Sequence, residues 1–210
     1  MFAFCIFITT FMLLSHTFKC VFVHIPRTGG SWLTYKLRDM DPNLRGSGRE
    51  VGLINAHPNR VEYVKTGRHG TLQQIYDLAD VNLDEYYKFA ISRHPYSRFQ
   101  SAYEYYKKTE TAQRAGFKNL WQMMDWIEQY GACKNHVMLQ SRWYDHRLNK
   151  IFRFEEIEKI NFANYVPNMP KYSKRNQIAK TVYTAELDEP LKKRIYKFYQ
   201  EDFELFKYHP

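Results

Sequence analysis

The stretch Val21-Phe-Val-His-Ile-Pro-Arg-Thr-Gly-Gly-Ser-Trp32 constrains the fold more than any other part of the chain. The apolar run Val21 to Ile25 suits a strand buried on both faces, as central parallel strands are. Pro26 ends it, and Gly29-Gly30 permit a tight turn with close backbone approach to a ligand. Ser31 then opens a segment, Trp32 to Met40, with helical character. Strand, glycine turn and helix start together gather backbone N–H groups and a helix N-terminus around one point. Such a point binds phosphate or sulfate. Arg27 adds a positive charge, and Thr28 and Ser31 add hydroxyls. The motif is not a Walker A loop, which needs G-x-x-x-x-G-K-[ST]; no lysine follows Gly30, and the basic residue precedes the glycines. An ordinary βα turn with two glycines is the plainer alternative.

At 210 residues the chain is one α/β-sized domain, over 19–210, behind an apolar segment, 1–18. Its 17 Tyr and 15 Phe argue against disorder. The net charge of +9 favours an anionic partner without choosing among nucleotide, glycan, nucleic acid and lipid. Cys5, Cys20 and Cys133 show no paired spacing, which speaks against a disulfide scaffold and a zinc site. Residues 1–14 are almost wholly apolar but carry no basic residue ahead of them and fall short of the roughly 20 residues a spanning helix needs. They read as a membrane anchor, as an extra buried element or as an upstream-start extension. An anchor implies a membrane-associated, Golgi-like type II protein; without it the expectation is cytoplasmic.

Residues 41–70 read as loop, with a short helix over 72–79. Tyr86–Ser92 is a second strand, and Pro95 suits the first position of a helix to about Lys108 with Phe99, Ala102, Tyr103 and Tyr106 on one stripe. A second amphipathic helix covers 117–130, with Phe117, Leu120, Trp121, Met124 and Ile127 inward and Gly131 after it. Lys150–Phe154 is a third strand, with Glu155 and Glu156 opening an acidic helix start. Residues 163–183 form a basic loop, and a C-terminal helix runs from Asp188 to about Phe206 with Leu191, Ile195, Phe198 and Phe203 buried. Alternating strands and helices imply a parallel sheet.

The second strand ends in Ser92-Arg-His-Pro-Tyr-Ser-Arg-Phe-Gln-Ser-Ala-Tyr103. Arg93 stands where a strand's C-terminal end meets a helix start, the crevice in which open α/β sheets bind ligands. Ser101, two helical turns on, is placed to share an anion with Arg93, and Arg98 adds charge to the same helix. The plainer alternative is a solvated basic helix start. A ligand with two separated anionic groups engages both constellations.

The pair HIPRTGGSW and ISRHPYSRFQSAY resembles the two cofactor-binding motifs of the P-loop-like sulfotransferases, in particular their carbohydrate (Golgi-type) branch. Gln140-Ser141, Ile151-Phe-Arg-Phe-Glu155 and Tyr199-Gln-Glu-Asp-Phe-Glu-Leu-Phe206 are similar to that branch as well. The resemblance implies an α/β fold of the P-loop NTPase-like sulfotransferase type, a single domain with a central parallel sheet flanked by helices. It implies transfer of a sulfuryl group from 3′-phosphoadenosine 5′-phosphosulfate (PAPS) to a hydroxyl, with adenosine 3′,5′-bisphosphate (PAP) as product and no metal. By the same resemblance Arg27, Thr28, Gly29, Gly30 and Ser31 hold the 5′-phosphosulfate, with Trp32 also in the cofactor site, and Arg93 and Ser101 hold the 3′-phosphate. Arg27 stands where the family usually has lysine, and His94 where it has an acidic or amide residue.

Sulfuryl transfer needs a general base for the acceptor hydroxyl, and histidine suits that role near neutral pH. His69, in a context resembling the histidine segment of glycan uronosyl 2-O-sulfotransferases, is the candidate; His24 reads as structural, while His57 and His136 are alternatives. The basic loop Lys171-Tyr-Ser-Lys-Arg175, with Lys174, is expected to close over the nucleotide or to contact an anionic glycan. The expected acceptor is a carbohydrate or another hydroxyl compound, with no nucleic-acid partner and with membrane association through residues 1–18. Two rival functions stay open: a nucleotide-dependent phosphotransferase, and a non-catalytic basic module that binds anions or nucleic acid.

Overall fold

The computed structural model describes residues 13–40, 69–79, 81–131, 135–171, 183 and 185–210. Leu13–Ser15 (β1) lies antiparallel to Cys20–Val23 (β2), while β2, Tyr87–Ser92 (β3) and Lys150–Arg153 (β4) run parallel, in the order β1-β2-β3-β4. Val23 pairs with Ala90, and Ser92 with Arg153, so the chain leaves β2, β3 and β4 along one edge of the sheet. That common edge carries the site. Helices flank the sheet in a single α/β domain.

Side-chain alternation divides the core. Phe22, Phe89, Ile91 and Phe152 point to one face and meet Leu33 and Leu37 of the helix Gly30–Met40 (α1). Val21, Val23 and Ala90 point to the other, against Leu72 and Ile75 of Leu72–Leu78 (α2) and Trp143. Burying a large apolar side chain contributes about 1.5–3 kcal/mol, so a strand such as β2, apolar on both faces, is most stable in the middle of the stack. The third cluster is helical. Phe99, Ala102, Tyr103 and Tyr106 of Pro95–Lys108 (α3) are all buried against Met124 and Ile127 of a later helix and against Leu191 and Ile195. The short helix Thr111–Ala115 (α4) follows α3.

Several expectations need adjusting. The helix expected over 117–130 is Leu120–Tyr130 (α5): the Asn119 side chain accepts from Gln122 N (2.9 Å) and caps it there, leaving Phe117 buried ahead of the helix. Trp121 is only partly buried because its Nε1–H reaches Asp188 (3.0 Å). The expected C-terminal helix is two, Glu189–Phe198 (α6) and Gln200–Leu205 (α7), interrupted at Tyr199. The break turns Tyr199, rather than the expected Phe198, into the core, where its hydroxyl donates to Val137 O (2.6 Å). At the other end, Leu13 and Leu14 are buried in β1, so this part of the apolar N-terminal segment is sheet edge. Residues 1–12 lie outside the described residues, and no described helix is long and apolar enough to cross a membrane. Cys20 is buried in β2; Cys5 and Cys133 lie outside the described residues.

His94 has a structural role that the sequence did not reveal. Its Nδ1 accepts from Tyr96 N (3.3 Å) at the start of α3, and its Nε2–H donates to His209 O (2.9 Å), which ties the C-terminus to the helix. A ring protonated on Nδ1 loses the cap. Burial holds its pKa below the ordinary 6.5, outweighing the His209 bond and Glu155, which act the other way. Between the native pKa and 6.5 the unfolded chain therefore binds the extra proton, and stability falls as pH drops through that window. Melting temperature is expected to decline across it in the parent protein and to decline less in His94→Asn, whose amide oxygen caps at any pH. Equal slopes for the two proteins would count against this role.

Candidate functional site

Each loop at the C-terminal edge of the sheet is braced by its own residues. After β2 the chain turns at Arg27 (φ 66°) and Gly29 (φ 84°), both left-handed. Thr28 is wholly buried and its hydroxyl donates to Ile25 O (2.8 Å), so this side chain stiffens the turn from inside. A Cβ on Gly30 would sit 2.1 Å from the His24 ring, and one on Gly29 2.7 Å from the Phe154 ring. The glycines are needed because the turn is pressed onto two aromatic side chains. α1 starts at Gly30, so N–H groups of its first turn lack helical acceptors, as helix geometry requires. Ser31 is exposed there, and Trp32, partly buried, carries Lys36 Nζ over its ring at 5.1 Å.

Three arginines converge on this turn. Arg93, only 5% exposed at the end of β3, donates Nη1 to Arg27 O (3.1 Å) and Nε to Ser97 Oγ (3.1 Å), and its Nη2 meets the Tyr183 hydroxyl. The Arg27 guanidinium turns to Ser101 Oγ (3.2 Å from Nε, 3.0 Å from Nη2) and lies over the Tyr105 ring at 4.8 Å. So Ser101 stands with Arg27, and Ser97 with Arg93. Arg98, expected to add charge on the same helix, is instead buried: Nε donates to Pro26 O (2.9 Å) and Nη1 to Met138 O (2.7 Å). Its place in α3 turns it under the first loop, and the wholly buried Asp202 offsets its charge. Burial first and Arg93 second push Arg27 below the usual guanidinium range, and burial pushes Arg93 down as well. Among the described residues neither is in an ion pair with a carboxylate. Glu155 offsets part of the Arg93 charge, and the pair of guanidiniums beside the turn stays net positive, which an anion complements.

His69 lies on the other side of Arg27. Its Nδ1 donates to His24 O (3.0 Å), because a carbonyl can only accept. The neutral ring therefore carries its lone pair on Nε2, the form that a general base requires. His69 packs edge-on to His24 (4.7 Å) and His136 (5.4 Å), and His136 lies against Tyr105 (4.3 Å), the same ring that Arg27 covers. His69, Tyr105, Trp126 and His136, with Thr109, Asn135 and the exposed Arg114, line a cavity of about 630 Å³.

A model of the sulfotransferase family matches residues 11–209. The chain belongs to the sulfotransferase family. Comparison with curated proteins and with solved structures finds no match. Of the residues expected in the site, Arg27, Thr28, Gly29, Gly30, Ser31 and Trp32 form one turn, with Arg93 and Ser101 against it and His69 across Tyr105. Lys174 and His57 lie outside the described residues. Ser97, Tyr105 and Phe154 join the site without having been singled out for it. Ser97 falls one turn before Ser101 in the same motif and carried the same signal. Among the described residues no group of three or more His, Cys, Asp or Glu is arranged to hold a metal ion.

Proposed function

We propose that this sulfotransferase moves a sulfuryl group from PAPS to a hydroxyl of a carbohydrate, with His69 as general base. The observation that carries the reading is the pair of guanidiniums, the half-buried Arg27 and the buried Arg93, neither in an ion pair with a carboxylate among the described residues. Two such charges beside the glycine turn and the start of α1 fit a donor bearing anionic groups at two places. Arg27 and the first turn of α1 serve the 5′-phosphosulfate, and Arg93, with Ser97 or Ser101, serves the 3′-phosphate. When bound, the nucleotide supplies an already activated sulfuryl group.

The remaining work falls to the chain. Positive charge preorganised at the loop stabilises negative charge developing there during transfer, and the fixed Arg27 needs little rearrangement to do so. His69 takes the proton of the acceptor hydroxyl on Nε2 while the His24 carbonyl holds its Nδ1–H. The cavity beside it suits a sugar: its rings offer flat apolar walls, and Thr109 and Asn135 offer hydrogen bonds to hydroxyls.

Thermal shifts with PAP and with 5′-AMP test the donor, and His69→Asn tests the base. PAP at a hundred times its Kd should add about 2.7 kcal/mol of stability, with 5′-AMP at the same concentration adding much less. His69→Asn keeps a donor toward His24 O but has no basic nitrogen; it should keep the PAP shift and lose transfer from PAPS to a panel of oligosaccharides. Equal shifts from the two nucleotides would remove the second anion site, and undiminished transfer would place the base elsewhere.

A further inference from the structure

We infer that Phe154 is the positioning residue that sets the spacing between the two anion sites. The inference rests on the donor reading above. Phe154 follows β4, and the parallel register Ser92↔Arg153 places it beside the end of β3. Its ring touches both halves of the site. One edge lies 2.7 and 2.8 Å from where a Gly29 Cβ would be, and the Arg93 guanidinium carbon stands 4.1 Å from the ring centroid. The ring is thus a spacer with the first loop on one side and the second site's arginine on the other.

The two sides depend on it unequally. The first loop has its own braces: Thr28 on Ile25 O, Arg98 on Pro26 O, and Leu33 N on Gly29 O (3.3 Å). Among the described residues the Arg93 guanidinium makes one neutral hydrogen bond from each nitrogen, to Ser97, Arg27 O and Tyr183, and the Phe154 ring, at 4.1 Å nearer than the Tyr183 ring at 5.8 Å, backs its face. A ligand with one phosphate reads the loop alone. A ligand with two phosphates at a fixed separation reads the distance between loop and Arg93, and Phe154 sets that distance.

The experiment compares Kd values for PAP and 5′-AMP in the parent protein, Phe154→Leu and Phe154→Trp by titration calorimetry, with melting temperatures alongside. Phe154 is only partly buried, so leucine is expected to fold. Phe154→Leu should bind PAP roughly tenfold more weakly while 5′-AMP changes less than twofold, and Phe154→Trp, which keeps a ring face, should restore most of the preference. An unchanged preference in Phe154→Leu overturns the inference, and so does equal weakening of both nucleotides, which would make the ring a support for the loop alone. If leucine does not fold, Phe154→Met, long and apolar but ringless, carries the same expectation. A parent protein that does not prefer PAP sinks the donor reading itself, and the inference with it; a parent preference untouched at position 154 sinks only the inference.

Discussion

Gly30→Ala is expected to lower the melting temperature by about 2–12 °C and to abolish sulfuryl transfer. The added Cβ would lie 2.1 Å from His24 Cδ2 and 2.3 Å from Nε2, distances at which one of the two groups must move. Gly30 does not have a positive φ, so the backbone tolerates alanine and the cost is steric. The His24 ring is stacked on Phe22 (5.7 Å) and edge-on to His69 (4.7 Å), in a setting where it is 5% exposed. Overpacking of this kind costs about 1–3 kcal/mol, and a chain of this length loses about 2–4 °C per kcal/mol. Activity suffers more than stability because His24 offers the carbonyl that orients His69. Adding His24→Ala to Gly30→Ala should recover part of the melting temperature by clearing the space. A Gly30→Ala protein with parental melting temperature and turnover would show that the loop does not press on His24.

The parts of this arrangement that were legible in the sequence are those fixed by neighbours along the chain. The apolar run before Pro26, the glycine pair and the strand end at Arg93 follow from local composition. What was illegible depends on partners brought from elsewhere. Spacing puts Ser97, Arg98 and Ser101 on the first turns of one helix, yet it does not say which serine meets Arg93. That is decided by Arg27, arriving from another strand and taking Ser101. An arginine at a helix start looks the same whether it faces water or, like Arg98, lies beneath a proline carbonyl. Leu13–Ser15 lacked an alternating pattern because this short edge strand is buried throughout, so its composition matched a membrane segment equally well. Phe154 became visible only through the register of β3 and β4.

Asp202→Ala is expected to destabilise the protein by about 3–5 kcal/mol, a loss of about 6–20 °C, and to weaken PAP binding though Asp202 is built into the core behind the site. Its carboxylate is wholly buried and accepts from Gln140 N and Ser141 N, both at 2.8 Å. Gln140 in turn clasps the Arg93 backbone, accepting from N (2.9 Å) and donating to O (2.8 Å). One carboxylate therefore holds the segment that holds Arg93. It also supplies the negative charge nearest in effect to Arg98, which is buried and has no hydrogen-bond partner for Nη2. Burial pushes the Asp202 carboxyl up, while Arg98 and the two N–H groups pull it down. Removing the carboxylate leaves an uncompensated buried guanidinium and two unmet N–H groups, the costly way to break such a pair. Replacing Arg98 by methionine in the same protein should recover part of the loss, since the stranded charge goes with it. Binding should not recover with stability: Gln140 still lacks its anchor, and Pro26 O has lost the Arg98 donor. Chemical denaturation and PAP titration of the parent, Asp202→Ala and the double variant separate the two effects. An Asp202→Ala protein of parental stability, or a double variant that regains PAP affinity along with its stability, would mean that the buried carboxylate does not link the core to the site.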